Sequence, residues 1–203
     1  MTSLPKSGLF LACIMLLSGC YTHNLQTART TPKGKMEISS GGSLYFIERN
    51  PNSFPVISYA PMFRYGVADR FDIGITTGLN MMLTVDGKLQ FVGTQETPYA
   101  MSIGLATGVT AALGGYFFQA SVPLVASYFH EDNFAISLHS RPVFSSFTED
   151  LVGAGPISYL QTGLGFRFGR TFRFTLEGSV MTPFENTATN PVPVLSMGIS
   201  YPL

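Results

Sequence analysis

The stretch Tyr99-Ala100-Met101-Ser102-Ile103-Gly104-Leu105-Ala106-Thr107-Gly108-Val109-Thr110 decides the fold. Read by twos, it separates into two faces. Tyr99, Met101, Ile103, Leu105, Thr107 and Val109 make a bulky one; Ala100, Ser102, Gly104, Ala106, Gly108 and Thr110 make a small, polar one. Successive side chains of a strand point to opposite sides, so this pattern predicts a strand with one apolar face. A helix needs apolar residues three and four apart, and that spacing is missing. Leu83, Val85, Leu89 and Phe91 likewise oppose Thr84, Asp86, Lys88 and Gln90, and Phe172, Phe174 and Leu176 oppose Arg173, Thr175 and Glu177.

Ten such segments follow one another, at roughly 35–47, 55–67, 71–79, 82–92, 99–110, 116–129, 134–146, 156–168, 172–181 and 192–203. No repeat or second composition zone divides them. The expectation is one all-β domain over 35–203: a single antiparallel up-and-down transmembrane β-barrel of about ten strands, with eight as the alternative. Connections after the second, fourth, sixth and eighth segments are short and polar, such as Ala68-Asp69-Arg70 and Gly169-Arg170-Thr171. Glu48 to Phe54, Phe147 to Gly155 and Thr182 to Pro191 are longer. Barrels of the bacterial outer membrane have short periplasmic turns and long outer loops. On that rule both chain ends lie on the periplasmic side.

Composition agrees. Only 12% of the 203 residues are charged, and 12 basic residues balance 12 acidic ones. That is about half the charge of a soluble domain, and it offers nucleic acid no basic surface. No run of about 18 apolar residues supplies a spanning helix.

The first residues read as an export signal. Lys6 gives a positive start, and Leu9 to Leu17 form an apolar run too short to cross a bilayer. The run ends in Leu17-Ser18-Gly19-Cys20, which resembles the bacterial lipobox. The resemblance implies removal of residues 1–19 and a diacylglyceryl group on the Cys20 thiol, with lipoprotein-processing and barrel-assembly machinery as partners. Tyr21 in place of an aspartate implies sorting to the outer membrane. Cys13 falls inside the signal, so no disulfide or thiolate metal site remains. Residues 20–34 are polar and read as a lipidated periplasmic tether.

Alternation alone does not say which face is wet. A lipidated, soluble lipocalin-like barrel would turn its bulky face inward. Here the other face is mostly Gly, Ser and Ala, which suits a crowded lumen, and Tyr and Phe gather near strand ends like an interfacial girdle. The ending Leu195, Met197, Ile199, Tyr201, Leu203 resembles the C-terminal assembly signal of outer-membrane barrels, with leucine last in place of phenylalanine. Gln26-Thr27-Ala28 leading into Lys33-Gly34-Lys35 is similar to small barrels of that class, as is Arg64-Tyr65-Gly66-Val67 through Asp69 to Gly74. Pro61, Pro123 and Pro142 fall inside segments, where bulges or bends are expected.

The inward face carries charge. Glu37, Arg64, Asp72, Lys88, Arg167 and Arg173 fall near the periplasmic ends, and Asp86, His139, Arg141 and Glu177 nearer mid-height. Charges of both signs in a narrow lumen should pair, so a salt-bridged plug with a shallow cup above it is expected. Ser39, Gly41, Ser43 and Gly163 are among the small residues assigned to that cup. Outer-membrane lipid hydrolases use a serine with a histidine, which makes Ser137 or Ser140 with His139 the one conceivable catalytic set. A ten-stranded barrel is also similar to the omptin proteases, whose acidic and histidine pairs lie at the outer rim, and His139 is too deep for that. No cofactor or metal site is expected. The leading reading is a non-enzymatic, lipid-anchored outer-membrane barrel, structural or interacting through its outer loops. A narrow solute channel, a hydrolase and a lipocalin-like barrel are the alternatives.

Overall fold

The computed structural model describes residues 25–46, 55–78, 82–112, 115–131, 133–147, 156–184 and 190–203. The signal segment, the lipobox residues Leu17, Ser18, Gly19 and Cys20, and most of the three longer connections lie outside the described residues.

Alternation becomes strand along the rest of the chain. The elements are β1 (Met36–Tyr45), β2 (Val56–Ala68), β3 (Phe71–Thr77), β4 (Leu83–Val92), β5 (Tyr99–Ala112), β6 (Gly115–Ser121), β7 (Leu124–His130), β8 (Phe134–Phe147), β9 (Ile157–Phe168), β10 (Arg173–Pro183) and β11 (Val192–Pro202). All pairings are antiparallel, and β1 pairs with β11, which closes the sheet and leaves no edge. β6 and β7 are halves of one strand. Ala106 opposes Ser121 and Ile103 opposes Leu124, so the register runs through unbroken. The barrel has ten strands, as the ten segments predict.

Pro123 causes the interruption between the halves, because it has no N–H for the ladder. Its carbonyl still accepts from Gly104 N at 2.8 Å, and Pro142 O accepts from Val122 N at 3.2 Å. Of the bulges or bends expected at the prolines, only the interruption at Pro123 is seen, and no bulge falls at any of them. Pro61 opposes Ser40 without a register shift, and the shifts fall instead at Gly66/Ala68 and Gln90/Val92, beside tight turns. A proline forfeits one ladder bond but inserts no extra residue, and only an extra residue makes a bulge.

The start of β1 and the end of β11 lie at the same end as the four short connections, here termed the turn end; the opposite one is the loop end. Bulky residues point outward. Ile57 is 68% exposed, Leu105 63% and Leu138 61%, an arrangement opposite to that of a lipocalin-like barrel. Aromatics ring the exterior at both ends. At the turn end Phe172 and Tyr201 are 5.1 Å apart, and Phe168 and Phe174 5.6 Å; at the loop end Phe144 stacks on Phe184 at 6.3 Å. Such belts over an aliphatic midsection fit a lipid bilayer. No described helix is long and apolar enough to cross a membrane.

One expectation needs correction. Over Leu25 to Thr31 the chain is not a tether below the barrel. Pro32 to Lys35 form a tight turn at the turn end, where Gly34 has φ 73° and its N–H donates to Gly66 O at 2.8 Å. Before that turn the chain lies inside the lumen: Thr27, Ala28, Thr30 and Thr31 are all buried. Leu25 Cδ1 sits against Gly41 and Gly198, a matched pair on β1 and β11, where a Cβ on either glycine would overlap it.

Candidate functional site

The lumen is the candidate site, and its turn-end half is built around the N-terminal segment. Backbone taken inside a barrel must find hydrogen bonds there, and barrel side chains supply them. Ala28 N donates to Ser127 Oγ (2.8 Å), Thr30 N to Gln90 Oε1 (3.1 Å) and Thr31 N to Asp72 Oδ2 (2.7 Å). Lys88 Nζ donates to Thr27 O (3.2 Å) and Arg29 O (2.9 Å), and Gln95 Nε2 donates to Thr30 O (2.8 Å). Arg29 reaches sideways, donating from Nη2 to Thr97 O at 2.7 Å with its guanidinium 3.8 Å from the Phe129 ring centre. A net gain of about 1 kcal/mol per bond gives the clasp a few kcal/mol, opposed by the entropy of ordering the segment.

The ionic residues beside it form a compact group on β2, β3 and β4. Arg64 holds Asp72 through Nη2 (2.5 Å) and Nε (3.1 Å). Its Nη1 lies 2.7 Å from Asp86 Oδ1, an ion-pair contact angled away from a hydrogen bond. Lys88 Nζ stands 3.5 Å from Asp72 Oδ2. Two cations thus meet two carboxylates, and Asp72 is gripped from three directions. Desolvated charges persist only when paired and hydrogen-bonded, and this group meets that condition by borrowing Thr31 N from the segment.

The other predicted interior charges do not join that group. Arg173 Nη1 pairs with Glu37 Oε2 at 3.2 Å, nearer the turn end. Arg141 Nε donates to Ser121 Oγ at 3.0 Å, at mid-height. His139 Nε2 and Glu177 Oε1 approach to 3.5 Å, both buried. Arg167 lines the turn-end cavity. The expected single salt-bridged plug is therefore several separate pairs, with main chain threaded between them.

Nor does the structure join either predicted serine to His139. Ser137 Oγ is 2.7 Å from Ser127 Oγ, which itself accepts from Ala28 N. Ser140 stands on the opposite, lipid-facing side of β8, across from Leu124. Two residues on one strand face share a direction, yet Ser137 meets Ser127 on the neighbouring β7 while His139 meets Glu177 on β10, two strands away.

The expected shallow cup at the loop end is also corrected. Tyr45, Val143, Tyr159 and Val194 pack together there, with Val56, Met181 and Val192 against them. Met82 and Phe117 form a second apolar contact. Gln119 Nε2 donates to Tyr159 OH at 3.1 Å. The small residues Ser43 and Ser196 lie below this cap, their hydroxyls 2.5 Å apart.

Sequence reasoning missed the luminal segment. Its only trace was a surplus of long polar inward residues, Asp72, Lys88, Gln90 and Ser127, without enough cross-strand partners among themselves.

No known protein family and no curated protein matches the chain. Solved structures do resemble it. An outer membrane channel from Pseudomonas putida F1 aligns over 87% of this chain and 98% of its own, with TM-score 0.50 and 8% identity. Ail, the attachment invasion locus protein of Yersinia pestis, aligns over 84% and 99%, with TM-score 0.38 and 13% identity. The outer membrane protein OprG of Pseudomonas aeruginosa aligns over 88% and 99%, with TM-score 0.36 and 11% identity. At 8% identity the likeness to the Pseudomonas putida channel is one of fold: a closed antiparallel barrel of the outer-membrane type.

Proposed function

We propose that this chain is an outer-membrane β-barrel lipoprotein, closed through its lumen, that serves a structural or surface-interaction role. One observation carries the reading: the lumen is occupied from both ends, by the clasped N-terminal segment below and by the Tyr45, Val143, Tyr159 and Val194 cap above. A pore for solutes needs a continuous wet path, and a packed apolar layer opposes one. With the lumen obstructed at both ends, the outer loops are the surface left for recognition outside the cell.

The Leu17-Ser18-Gly19-Cys20 motif supports acylation at Cys20. Leu25 sits deep in the lumen, and five residues reach at most about 17 Å. A lipid on Cys20 is then tied closely to the barrel. The enzyme alternative rests on Ser137 or Ser140 with His139, and neither serine is bonded to that imidazole, so it is not adopted.

Planar-bilayer recording tests the closed reading. Reconstituted full-length protein is expected to give no steady single-channel current, while heat-modifiable gel mobility shows it folded. Large, steady openings from such a sample would overturn closure and favour the channel alternative.

A further inference from the structure

The segment does not fill the turn-end lumen completely. A cavity of about 290 Å³ remains between it and the barrel wall. Among the described residues six cationic side chains line it, Arg29, Arg64, Lys88, Arg167, Arg170 and Arg173, with Glu37 as the one acidic residue of that lining. Asp72 and Asp86 stand behind Arg64 and Lys88, so among the described residues six positive charges face three negative ones, a formal excess of three. Arg173 is held by Glu37. Among the described residues Arg167 makes no hydrogen bond and has no carboxylate within ion-pair distance.

A guanidinium kept in a narrow vestibule without a counter-charge among the described residues is costly. Three of the arginines come from a single turn, in the run Arg167-Phe168-Gly169-Arg170-Thr171-Phe172-Arg173. Gly169, at φ 103°, makes the reversal that sets Arg170 at the rim between Arg167 and Arg173. Planar guanidinium forks match the paired oxygens of a phosphate or sulfate. The space is several times the roughly 30 Å³ that one water occupies in the liquid, enough for a hydrated oxyanion.

We propose that this vestibule is a binding site for a phosphate-type oxyanion, gripped by Arg167 and Arg170 with Arg173 behind them. The anion supplies the missing counter-charge and braces the β9–β10 turn against the N-terminal segment. The inference goes beyond closure of the barrel and does not depend on it.

Calorimetric titration of inorganic phosphate into the folded full-length protein in neutral detergent tests it. Saturable binding is expected, weakened about tenfold or more by Arg167→Gln, as loss of one charged hydrogen bond predicts. Glu37→Gln removes the one acidic residue of the described lining and is expected to tighten binding, an effect that damaged folding does not imitate. Heat-modifiable mobility checks that each variant is folded. Competition by phosphatidylglycerol in the micelle would assign the site to a lipid headgroup, and its absence to a soluble anion; both outcomes support the site. Absence of saturable binding to the wild type overturns the proposal, as does unchanged affinity in folded Arg167→Gln.

Discussion

The two ends of the lumen are closed by opposite chemistry. At the turn end the barrel folds polar and charged side chains around a borrowed strand of its own backbone, and each contact is directional: Thr31 N to Asp72, Lys88 to Thr27 O and Arg29 O. At the loop end Tyr45, Val143, Tyr159 and Val194 simply fill space. The difference teaches how each half should fail. A polar network is brittle, because loss of one partner strands the others in a medium of low dielectric. An apolar cap degrades with the volume removed.

Substitutions can break or sharpen that contrast. The largest effect is expected for Asp72→Asn, which leaves Arg64 and Lys88 to share Asp86. Removing one partner of a buried ionic group costs about 3–5 kcal/mol, measurable by urea unfolding from lipid vesicles. A loss under about 1 kcal/mol would mean that the group is wetter than its burial indicates. Next comes Val143→Ala in the cap, which removes fully buried apolar surface. Loss of about 1.5–3 kcal/mol is expected in the same assay. If Val143→Ala proved the costlier of the two, the contrast between the ends would be reversed.

Ser127→Ala should have the smallest effect, about 1 kcal/mol, because it deletes the acceptor for Ala28 N and leaves the barrel ladder intact. Its signature is local. Limited proteolysis of the folded variant should cut the N-terminal segment severalfold faster, with the barrel itself still resistant. Unchanged cleavage would show that the segment is held by the Asp72 and Lys88 contacts alone.

Much of this was legible beforehand because a strand writes its facing into a period of two. The ten segments became ten strands, and Glu37, Arg64, Asp72, Lys88, His139, Arg141 and Glu177 all took the inward face that alternation assigns them. Pairing was less legible. Glu37 and Arg173 are 136 residues apart and meet only because β11 lies between β1 and β10. The fate of Gln26 to Thr31 was not legible at all. A short polar stretch with a proline beside it reads equally as a solvated tether or as chain clasped indoors. Its contacts with Asp72, Gln90 and Ser127 span 41 to 99 residues.

The sequence alone therefore determined the succession of strands, the inside and outside of each, and the low charge of a surface meant for lipid. These follow from local geometry, since each residue's face is set by its immediate neighbours. Only the tertiary structure decided what fills the barrel. Which charges pair, which stay uncompensated, and whether Gln26 to Thr31 lie below the lumen or within it all depend on closing the sheet. Closure creates the enclosed, poorly solvated space in which those polar groups must find one another.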